Sequence, residues 1–231
     1  MQEAEGLLDI LILIVQRGLP LTLAITLLSL AIGFVVGIAL ALMRVYGPIE
    51  LQLISNGYEK IFRGIPLLVL LFIFGAALLS SFMWVGSLFG ALFFAGVAAL
   101  ALRSAAYQSE IFRGSILSVD PGQMMAARSM GMTDMQSTRH IILPQALRLS
   151  LPGWTNEYAV VIKDSSLVSA IGLPDVLYHA SAYINTYPGA FIGIILVITI
   201  IYFVFTYPVT KYGGESMTKK LKELGLGGGK E

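Results

Sequence analysis

The chain of 231 residues has no cysteine and little charge, since only 13% of its residues are charged. Without cysteine it can form neither a disulfide framework nor a thiolate metal site. Its 15 basic and 14 acidic residues leave a net charge of +1, which gives no basic surface for nucleic acid. The 56% apolar residues and the mean hydropathy of +0.80 exclude a disordered chain and are typical of an integral membrane protein.

Long apolar runs predict an all-α membrane protein with five transmembrane helices. A helix needs about 20 apolar residues to cross the hydrocarbon core. We predict spans at residues 19–43, 65–87, 88–107, 151–172 and 189–210, within a single transmembrane domain that covers residues 1–231. The span at 151–172 differs from the others because it carries Glu157, Lys163 and Asp164.

The basic residues indicate the orientation of these helices. Thirteen of them lie in the segments 44–63, 103–148 and 211–230, whereas Arg17 is alone on the other side. Because cytoplasmic loops are enriched in Lys and Arg, we predict that the N-terminus is outside and the C-terminus is in the cytoplasm. The glycine- and lysine-rich tail at residues 213–231 is predicted to be flexible.

No group of residues predicts catalysis or metal binding. The two histidines, His140 and His179, fall on opposite sides of the membrane in this topology, so they cannot share a metal or an active site. The glycine-rich tail before Lys230 has neither the preceding strand nor the following helix that a phosphate loop requires. We therefore expect no catalytic residue, no metal and no cofactor in this chain. If ATP drives this protein, another chain must bind it.

The cytoplasmic segment at 120–149 carries helix-capping signals. Asp120–Gln123 predicts a helix start, and Gly131 predicts the end of that helix. Thr133 then opens a second helix, which we expect to run toward residue 149 with a bend at Pro144. Two interpretations stay open for this segment: an ordered loop, or a surface that docks a partner.

Short motifs recur through the segment that surrounds these helices: Ala105–Tyr107, Glu110–Ile111, Arg113–Gly114, Gly122–Arg128, Gly131–Met132 and Ile142–Ala146. Together they resemble the EAA loop of ATP-binding-cassette importer permeases, and more narrowly that of the polar amino acid permeases of the histidine/glutamine type. Arg63–Leu68 resembles the FRGTP segment, and Asn156–Glu157 and Lys163–Val168 resemble the NEF and KDTSLV segments. The chain departs from the family pattern at Met125, where glutamate is usual, and at Ile65, where threonine is usual.

The resemblance implies a type I importer membrane domain of five helices in the plasma (inner) membrane of a bacterium or archaeon. Such a subunit would form a homodimer, or a heterodimer with a related permease, embedded in membrane lipid. It would bind two cytoplasmic ATPases, which hold ATP and Mg²⁺, and an extracytoplasmic binding protein would deliver an amino acid.

The same resemblance implies a coupling helix that sits in a cleft of the ATPase. Its residues would be Gln123, Met124, Met125, Ala126, Ala127, Arg128, Gly131 and Met132. Methionine side chains are flexible and apolar, so they could repack as the partner closes. In the alternative interpretation, they seal the loop against the membrane domain.

The charges in the 151–172 span predict a substrate site. Three charges at the membrane midplane would cost about 7–10 kcal/mol, so they must face a cavity or each other. Glu157 and Asp164 lie about 20° apart around a helix and could bind a cationic group, with structural ion pairing as the alternative. Val161 and Val168 continue the same face, and Ser165 completes the candidate residues on this span. Lys163 points in another direction.

A break in the helix pattern at Gly64, Ile65 and Pro66 predicts a second part of this site. Proline has no N–H and disfavours helix in the residue before it. Free backbone groups at membrane depth are tolerated where they line a cavity or the protein interior, so Gly64 and Ile65 are candidate substrate contacts. A simple interfacial kink is the alternative.

Together these patterns predict the membrane subunit of an importer for a polar amino acid. Two carboxylates on one face favour a cationic substrate, namely arginine, lysine or histidine. A subunit for glutamine, glutamate or another polar amino acid stays an alternative, and so does a channel or carrier that acts alone.

Overall fold

The computed structural model describes residues 10–82 and 87–223, and all regular structure in these ranges is helical. A π turn spans Thr138–Ile142, and a 3₁₀ turn spans Ser165–Ile171. The predicted all-α class is confirmed. The helices are α1 (Ile10–Tyr46), α2 (Ile49–Gly64), α3 (Leu67–Phe82), α4 (Leu88–Leu117), α5 (Pro121–Ser129), α6 (Asp134–Ser137), α7 (Leu143–Asp164), α8 (Val176–Thr186), α9 (Phe191–Pro208) and α10 (Ser216–Glu223).

Three helical stretches in the described ranges are long and apolar enough to cross a membrane: α1, α4 and Pro188–Lys219, which contains α9. Helix α2 and the Leu67–Leu78 part of α3 form a pair bent by 102°, whose combined length and apolar character fit either a fourth, broken span or a re-entrant loop. Residues 83–86 at the end of the predicted second span lie outside the described residues. Helix α7 is less apolar because of its charged residues, and its place as the fifth span stays a prediction.

Two predicted boundaries differ from the structure. Helix α4 continues to Leu117, beyond the predicted end at residue 107, and an ion pair between Glu110 and Arg113 supports its polar last turns. Of the predicted flexible tail, residues 213–223 are helical, and residues 224–231 lie outside the described residues. Gly213 lets this helix lie close to Thr155, because a Cβ at Gly213 would come within 2.8 Å of Thr155 Cγ2.

The segment at residues 120–149, called the coupling segment below, begins and turns as its capping signals predict. Asp120 caps α5, since its carboxylate accepts a 2.6 Å hydrogen bond from the N–H of Gly122. Gly131 ends this turn at φ +83°, a conformation that favours glycine. Thr133 and Gln136 then form a reciprocal capping box at the start of α6.

The second helix of this segment is longer than predicted. The chain passes from α6 through the π turn into α7 and stays helical to Asp164, so the predicted separate helix ending near residue 149 is wrong. Pro144 lies in the first turn of α7, directly after the π turn. A widened turn at this point accommodates the proline ring and the missing N–H, so no break is needed. The coupling segment is therefore continuous with the helix that carries Glu157.

Helix α4 lies at the centre of the bundle, in contact with α1, α2, α3 and α7. Gly33 and Gly37 on α1 allow the closest of these approaches. A Cβ at Gly33 would lie 2.6 Å from Gln108 Nε2, and a Cβ at Gly37 would lie 2.9 Å from Gln108 Cβ. Small residues thus bring two membrane helices together at the place where a buried amide occupies the interface.

Candidate functional site

A cleft of about 320 Å³ opens between the end of α2, the middle of α4 and the middle of α7. Its walls combine both signs of charge with an aromatic ring and an amide. The lining residues are Arg63, Tyr107, Glu110, Ile111, Gly153, Asn156 and Glu157. Of the substrate contacts predicted from the sequence, Glu157 is the residue that lines this cleft.

Glu157 is almost fully buried, with 4% of its surface exposed. Its Oε1 accepts a 2.7 Å hydrogen bond from the Ser104 hydroxyl on α4. Among the basic side chains that the structure describes, none forms an ion pair with this carboxylate, although Arg103 attracts it electrostatically from a greater distance. Glu157 therefore offers the cleft an acceptor that no cation of the described chain occupies.

Asp164 has a different environment, because it forms an ion pair with Arg103 of α4. The predicted pair of free carboxylates is thus reduced to Glu157, and structural ion pairing describes Asp164. The sequence pattern places Arg103 at the start of the predicted cytoplasmic segment 103–148. The signal that could have identified it is a single cation inside an apolar run, which needs an anion from another helix.

The other predicted residues of α7 and its extension lie in the core. Val161 and Val168 pack in an apolar cluster with Leu30, Leu100 and other buried side chains, and neither lines the cleft. Apolar side chains on this face gain more by packing between converging helices than by facing a charged cleft. Ser165 is fully buried and donates its hydroxyl to the Ile162 carbonyl.

The predicted break before α3 is present. Ile65 has an extended backbone at φ −88° and ψ 130°, and its side chain packs against the main apolar cluster. Gly64 borders open space, since a Cβ there would meet no atom within 4 Å. Neither residue lines the cleft, whereas the adjacent Arg63 does.

Two guanidinium groups cover the aromatic ring at the cleft. Arg63 lies 5.1 Å and Arg103 lies 4.9 Å from the centroid of the Tyr107 ring. Arg63 is also paired with Glu59, one turn earlier on α2. These contacts hold the arginines in place through cation–π attraction, and sequence reasoning had not assigned Arg63 or Tyr107 to the site.

Glu110 is a second carboxylate that lines the cleft. It accepts hydrogen bonds from Arg44 at 2.6 Å and from Arg113 at 2.5 Å. The carboxylate is therefore compensated by two cations, unlike that of Glu157. No group of three His, Asp or Glu residues in the described ranges is arranged to hold a metal ion.

The coupling segment exposes three large apolar side chains to solvent. Met125, Met130 and Met135 are 65%, 83% and 76% exposed. Met124 instead packs into the apolar cluster around Phe112, so it seals the segment against the membrane domain, as the alternative interpretation proposed. Of the other predicted coupling residues, Gln123, Ala126, Arg128 and Gly131 are exposed, Met132 is half-buried and Ala127 is buried.

A salt bridge links the two helices of this segment. Arg128 Nε on α5 lies 2.7 Å from Asp134 Oδ1 on α6, on either side of the Gly131 turn. Because both side chains are exposed, the bridge contributes little stability. Arg128 is thus partnered within the chain.

These features define a class of protein: a bundle of helices that are long and apolar enough to cross a membrane, with a charged cleft between them, is typical of a membrane transport domain. Residues 33–210 match the family described as binding-protein-dependent transport system inner membrane component, and the chain belongs to this family. It is therefore a multi-pass permease subunit of the inner membrane, and it is not an enzyme.

Known proteins agree with this assignment. The octopine transport system permease protein OccM of Rhizobium meliloti is 40% identical over 174 residues, covering 73% of this chain and 70% of the relative. The probable glutamine ABC transporter permease protein GlnM of Bacillus subtilis is 33% identical over 202 residues, covering 87% and 90%. A crystal structure described as an amino acid ABC transporter with histidines is 36% identical, covers 91% of this chain and 94% of its own, and has a TM-score of 0.76.

The fold is that of the membrane domain of type I ATP-binding-cassette importers, which confirms the predicted fold class. ATP hydrolysis in such systems belongs to separate subunits. The family prediction from the EAA-like and flanking motifs is likewise confirmed.

Proposed function

We propose that this permease subunit imports a polar amino acid, and that the substrate is cationic: arginine, lysine or histidine. The observation that carries the proposal is Glu157, a nearly buried carboxylate that lines the cleft without a basic partner among the described residues. A buried charge of this kind is costly unless a ligand or neighbour compensates it. A substrate ammonium or guanidinium group supplies that compensation.

The remaining cleft residues suit the other end of an amino acid. Arg63 and the Asn156 amide provide hydrogen-bond donors for a carboxylate, and an arginine side chain pairs well with carboxylate geometry. A volume of about 320 Å³ lies at the lower end of the range for small-molecule pockets. The relatives named above for octopine and glutamine support an amino acid or a related compound as substrate.

A neutral polar amino acid such as glutamine is the second candidate. The observation that favours it is the ion pair between Arg103 and Asp164, which removes one of the two negative charges on which the cationic preference was based. Arg63 and Glu157 would then bind the carboxylate and the ammonium group of a zwitterion.

The coupling segment supports a drive by separate ATPases. We propose that two cytoplasmic subunits hold ATP and Mg²⁺ and receive the exposed methionines of α5 and α6. Because α6 continues into α7, a movement of this projection is transmitted to the helix that carries Glu157. ATP binding would thereby shift the membrane domains between two conformations. Two copies of the chain, or one copy with a related permease, complete the membrane unit, and an extracytoplasmic binding protein supplies the substrate.

Uptake by the complete importer in liposomes tests the proposal. Glu157→Gln keeps the shape of the side chain and removes its charge, so we expect KM for arginine to rise about tenfold or more. Glutamine uptake should change less if the lost charge had matched a cationic side chain. Glu223→Gln, an exposed change on α10, is the matched control and should have no effect.

Three results would contradict this proposal. Unchanged arginine and glutamine uptake in Glu157→Gln would exclude the carboxylate as a substrate contact. A preference for glutamine over arginine in the unmodified importer would favour the second candidate. Uptake by the purified permease without ATPases would identify a carrier that acts alone.

A further inference from the structure

A buried amide links three helices directly behind the cleft. Gln108 on α4 has no exposed surface. Its Oε1 accepts a 2.9 Å hydrogen bond from Trp154 Nε1 on α7, and its Nε2 donates to the Leu30 carbonyl on α1 at 3.2 Å. The same Nε2 also donates to Ser104 Oγ at 3.0 Å. All the hydrogen-bonding atoms of this side chain are therefore engaged.

The partners of Gln108 determine which way its amide points. An indole N–H can only donate, so the amide oxygen must face Trp154. A backbone carbonyl can only accept, so the amide nitrogen must face Leu30. Both requirements select the same orientation, and they leave the second N–H of Gln108 for Ser104.

The orientation of Gln108 in turn fixes the hydroxyl of Ser104. A serine hydroxyl has a single proton, and here its oxygen already accepts from Gln108. The proton is therefore free to be donated to Glu157 Oε1, at 2.7 Å. The hydrogen bonds thus form a chain with one direction: Trp154 donates to Gln108, Gln108 donates to Ser104, and Ser104 donates to the carboxylate of Glu157. Hydrogen bonds aligned in this way strengthen one another.

We propose that Gln108 is a positioning residue for the substrate site, because it directs the Ser104 proton onto Glu157 and so holds that carboxylate as an oriented acceptor for a substrate cation. Glu157 Oε1 is then occupied by Ser104, and Oε2 makes no hydrogen bond within the described residues and is available to the cleft. The inference rests on the proposed function, in which Glu157 contacts the substrate.

The surroundings of Gln108 fit this role. Gly33 on α1 leaves the space that the amide nitrogen occupies, since a Cβ there would lie 2.6 Å from it. Other buried or partly buried serines of α4 donate to carbonyls of their own helix, as Ser109 does to Ala106 and Ser115 does to Ile111. Ser104 differs because it donates to another helix, and the N–H of Gln108 accounts for that difference.

Gln108→Met removes both hydrogen-bonding ends and keeps the length of the side chain. The Ser104 hydroxyl can then turn to a carbonyl of its own helix, as serines in helices commonly do, and Glu157 loses its donor. In the complete importer with its ATPases and binding protein, we expect KM for arginine to rise about tenfold, with kcat changed less than about twofold. Ser109→Ala, a change at a neighbouring buried serine, is the matched control and should leave KM unchanged.

A double-mutant cycle distinguishes positioning from packing. Ser104→Ala should raise KM as much as Gln108→Met, and the double variant should raise it no further, because both changes remove the same donor. Trp154→Phe keeps the ring but removes the indole N–H, so we expect a smaller rise of about threefold. If Gln108→Met does not assemble, Trp154→Phe and Ser104→Ala supply the same cycle.

Two results overturn the inference, and they differ from a failure of the proposed function. Independent, multiplicative effects of Gln108→Met and Ser104→Ala would show that they do not act through one donor. An unchanged KM in an assembled Gln108→Met importer would do the same. If Glu157→Gln itself leaves KM unchanged, the proposed substrate contact fails first, and the inference falls with it.

Discussion

The cleft and the coupling segment differ in whether their side chains find partners within the chain. In and around the cleft, charged groups are partnered within the chain: Asp164 pairs with Arg103, and Glu110, which lines the cleft, pairs with Arg44 and Arg113. In the coupling segment, large apolar side chains such as Met130 remain exposed, and the described contacts that hold it include local caps, one surface salt bridge and the packing of Met124. The cleft is therefore largely complete in one subunit, whereas the coupling surface is incomplete.

This difference separates the effects that substitutions should have. Where the partners lie within the chain, a substitution leaves a buried group uncompensated and acts on folding stability or substrate affinity. Where apolar side chains are exposed, a substitution leaves the free subunit intact and acts on association. Glu157 is the exception in the cleft, and for this reason we propose it as a substrate contact.

The largest effect is expected at the coupling surface. Met125→Asp places a charge where we expect an apolar contact with an ATPase, so it should abolish co-purification of that subunit and ATP-driven uptake. The permease itself should fold normally, because this side chain is 65% exposed. Met125→Leu, which stays apolar, is the control and should retain activity. Co-purification of Met125→Asp with full uptake would show that this surface does not bind the ATPase.

The second prediction concerns the ion pair between Arg103 and Asp164. Arg103→Met leaves Asp164 without its cation in a partly buried position, which should destabilise the subunit by about 3 kcal/mol. Adding Asp164→Asn removes the unpaired charge and should restore most of the lost stability. Thermal unfolding of the solubilised protein measures both changes. If the double variant is no more stable than Arg103→Met, the stabilisation by Arg103 comes from its stacking on Tyr107 instead of the ion pair.

Much of the fold could be predicted from local signals in the sequence. Apolar length indicated the membrane helices, and Asp120, Gly131 and Thr133 marked the caps of the coupling segment, because each signal acts within a few residues. Because a proline usually interrupts a helix, the sequence predicts a bend at Pro144. A π turn, which depends on the packing around it, made the continuous helix possible.

The site was less predictable because it depends on contacts between helices. Helical periodicity correctly put Glu157 and Asp164 on related faces of α7. It could not show that α4 brings Arg103 to one of them and Ser104 to the other, since the relative rotation of two helices is set by packing. For the same reason Val161 and Val168, which follow Glu157 along the helix, are in the core instead of the cleft.

The smallest effect is expected at Asp175, a buried carboxylate outside the cleft that forms no ion pair with a described basic side chain. It can therefore be compared with Glu157, the buried carboxylate that lines the cleft. Asp175 Oδ1 caps α8 by accepting from the Tyr178 N–H at 2.8 Å, while its Oδ2 is buried without a hydrogen-bond partner in the described residues. Burial raises the pKa of Asp175 from 3.8 to about 7, although hydrogen bonds from backbone N–H groups oppose the shift. In the predicted topology this residue lies between two spans, outside the membrane.

The raised pKa determines the sign of the pH effect. The folded state holds the Asp175 proton more tightly than the unfolded state, so this group favours folding at low pH and loses that contribution as the pH rises from about 4 through about 7. Asp175→Asn keeps the acceptor for Tyr178 and cannot ionise. It should be more stable than the unmodified protein by about 1–2 kcal/mol near neutral pH, because its amide N–H groups also need partners and offset part of the gain. This advantage should shrink as the pH falls and reverse toward about pH 4, where Asp175 of the unmodified protein is protonated and only the cost of the variant's unpartnered amide N–H groups remains. Thermal unfolding across that range measures the difference between the two proteins, in which other titrating groups cancel. A difference that stays constant with pH would mean that Asp175 does not change its charge between the folded and unfolded states, and that unpartnered carboxylates outside the cleft are tolerated in their charged form.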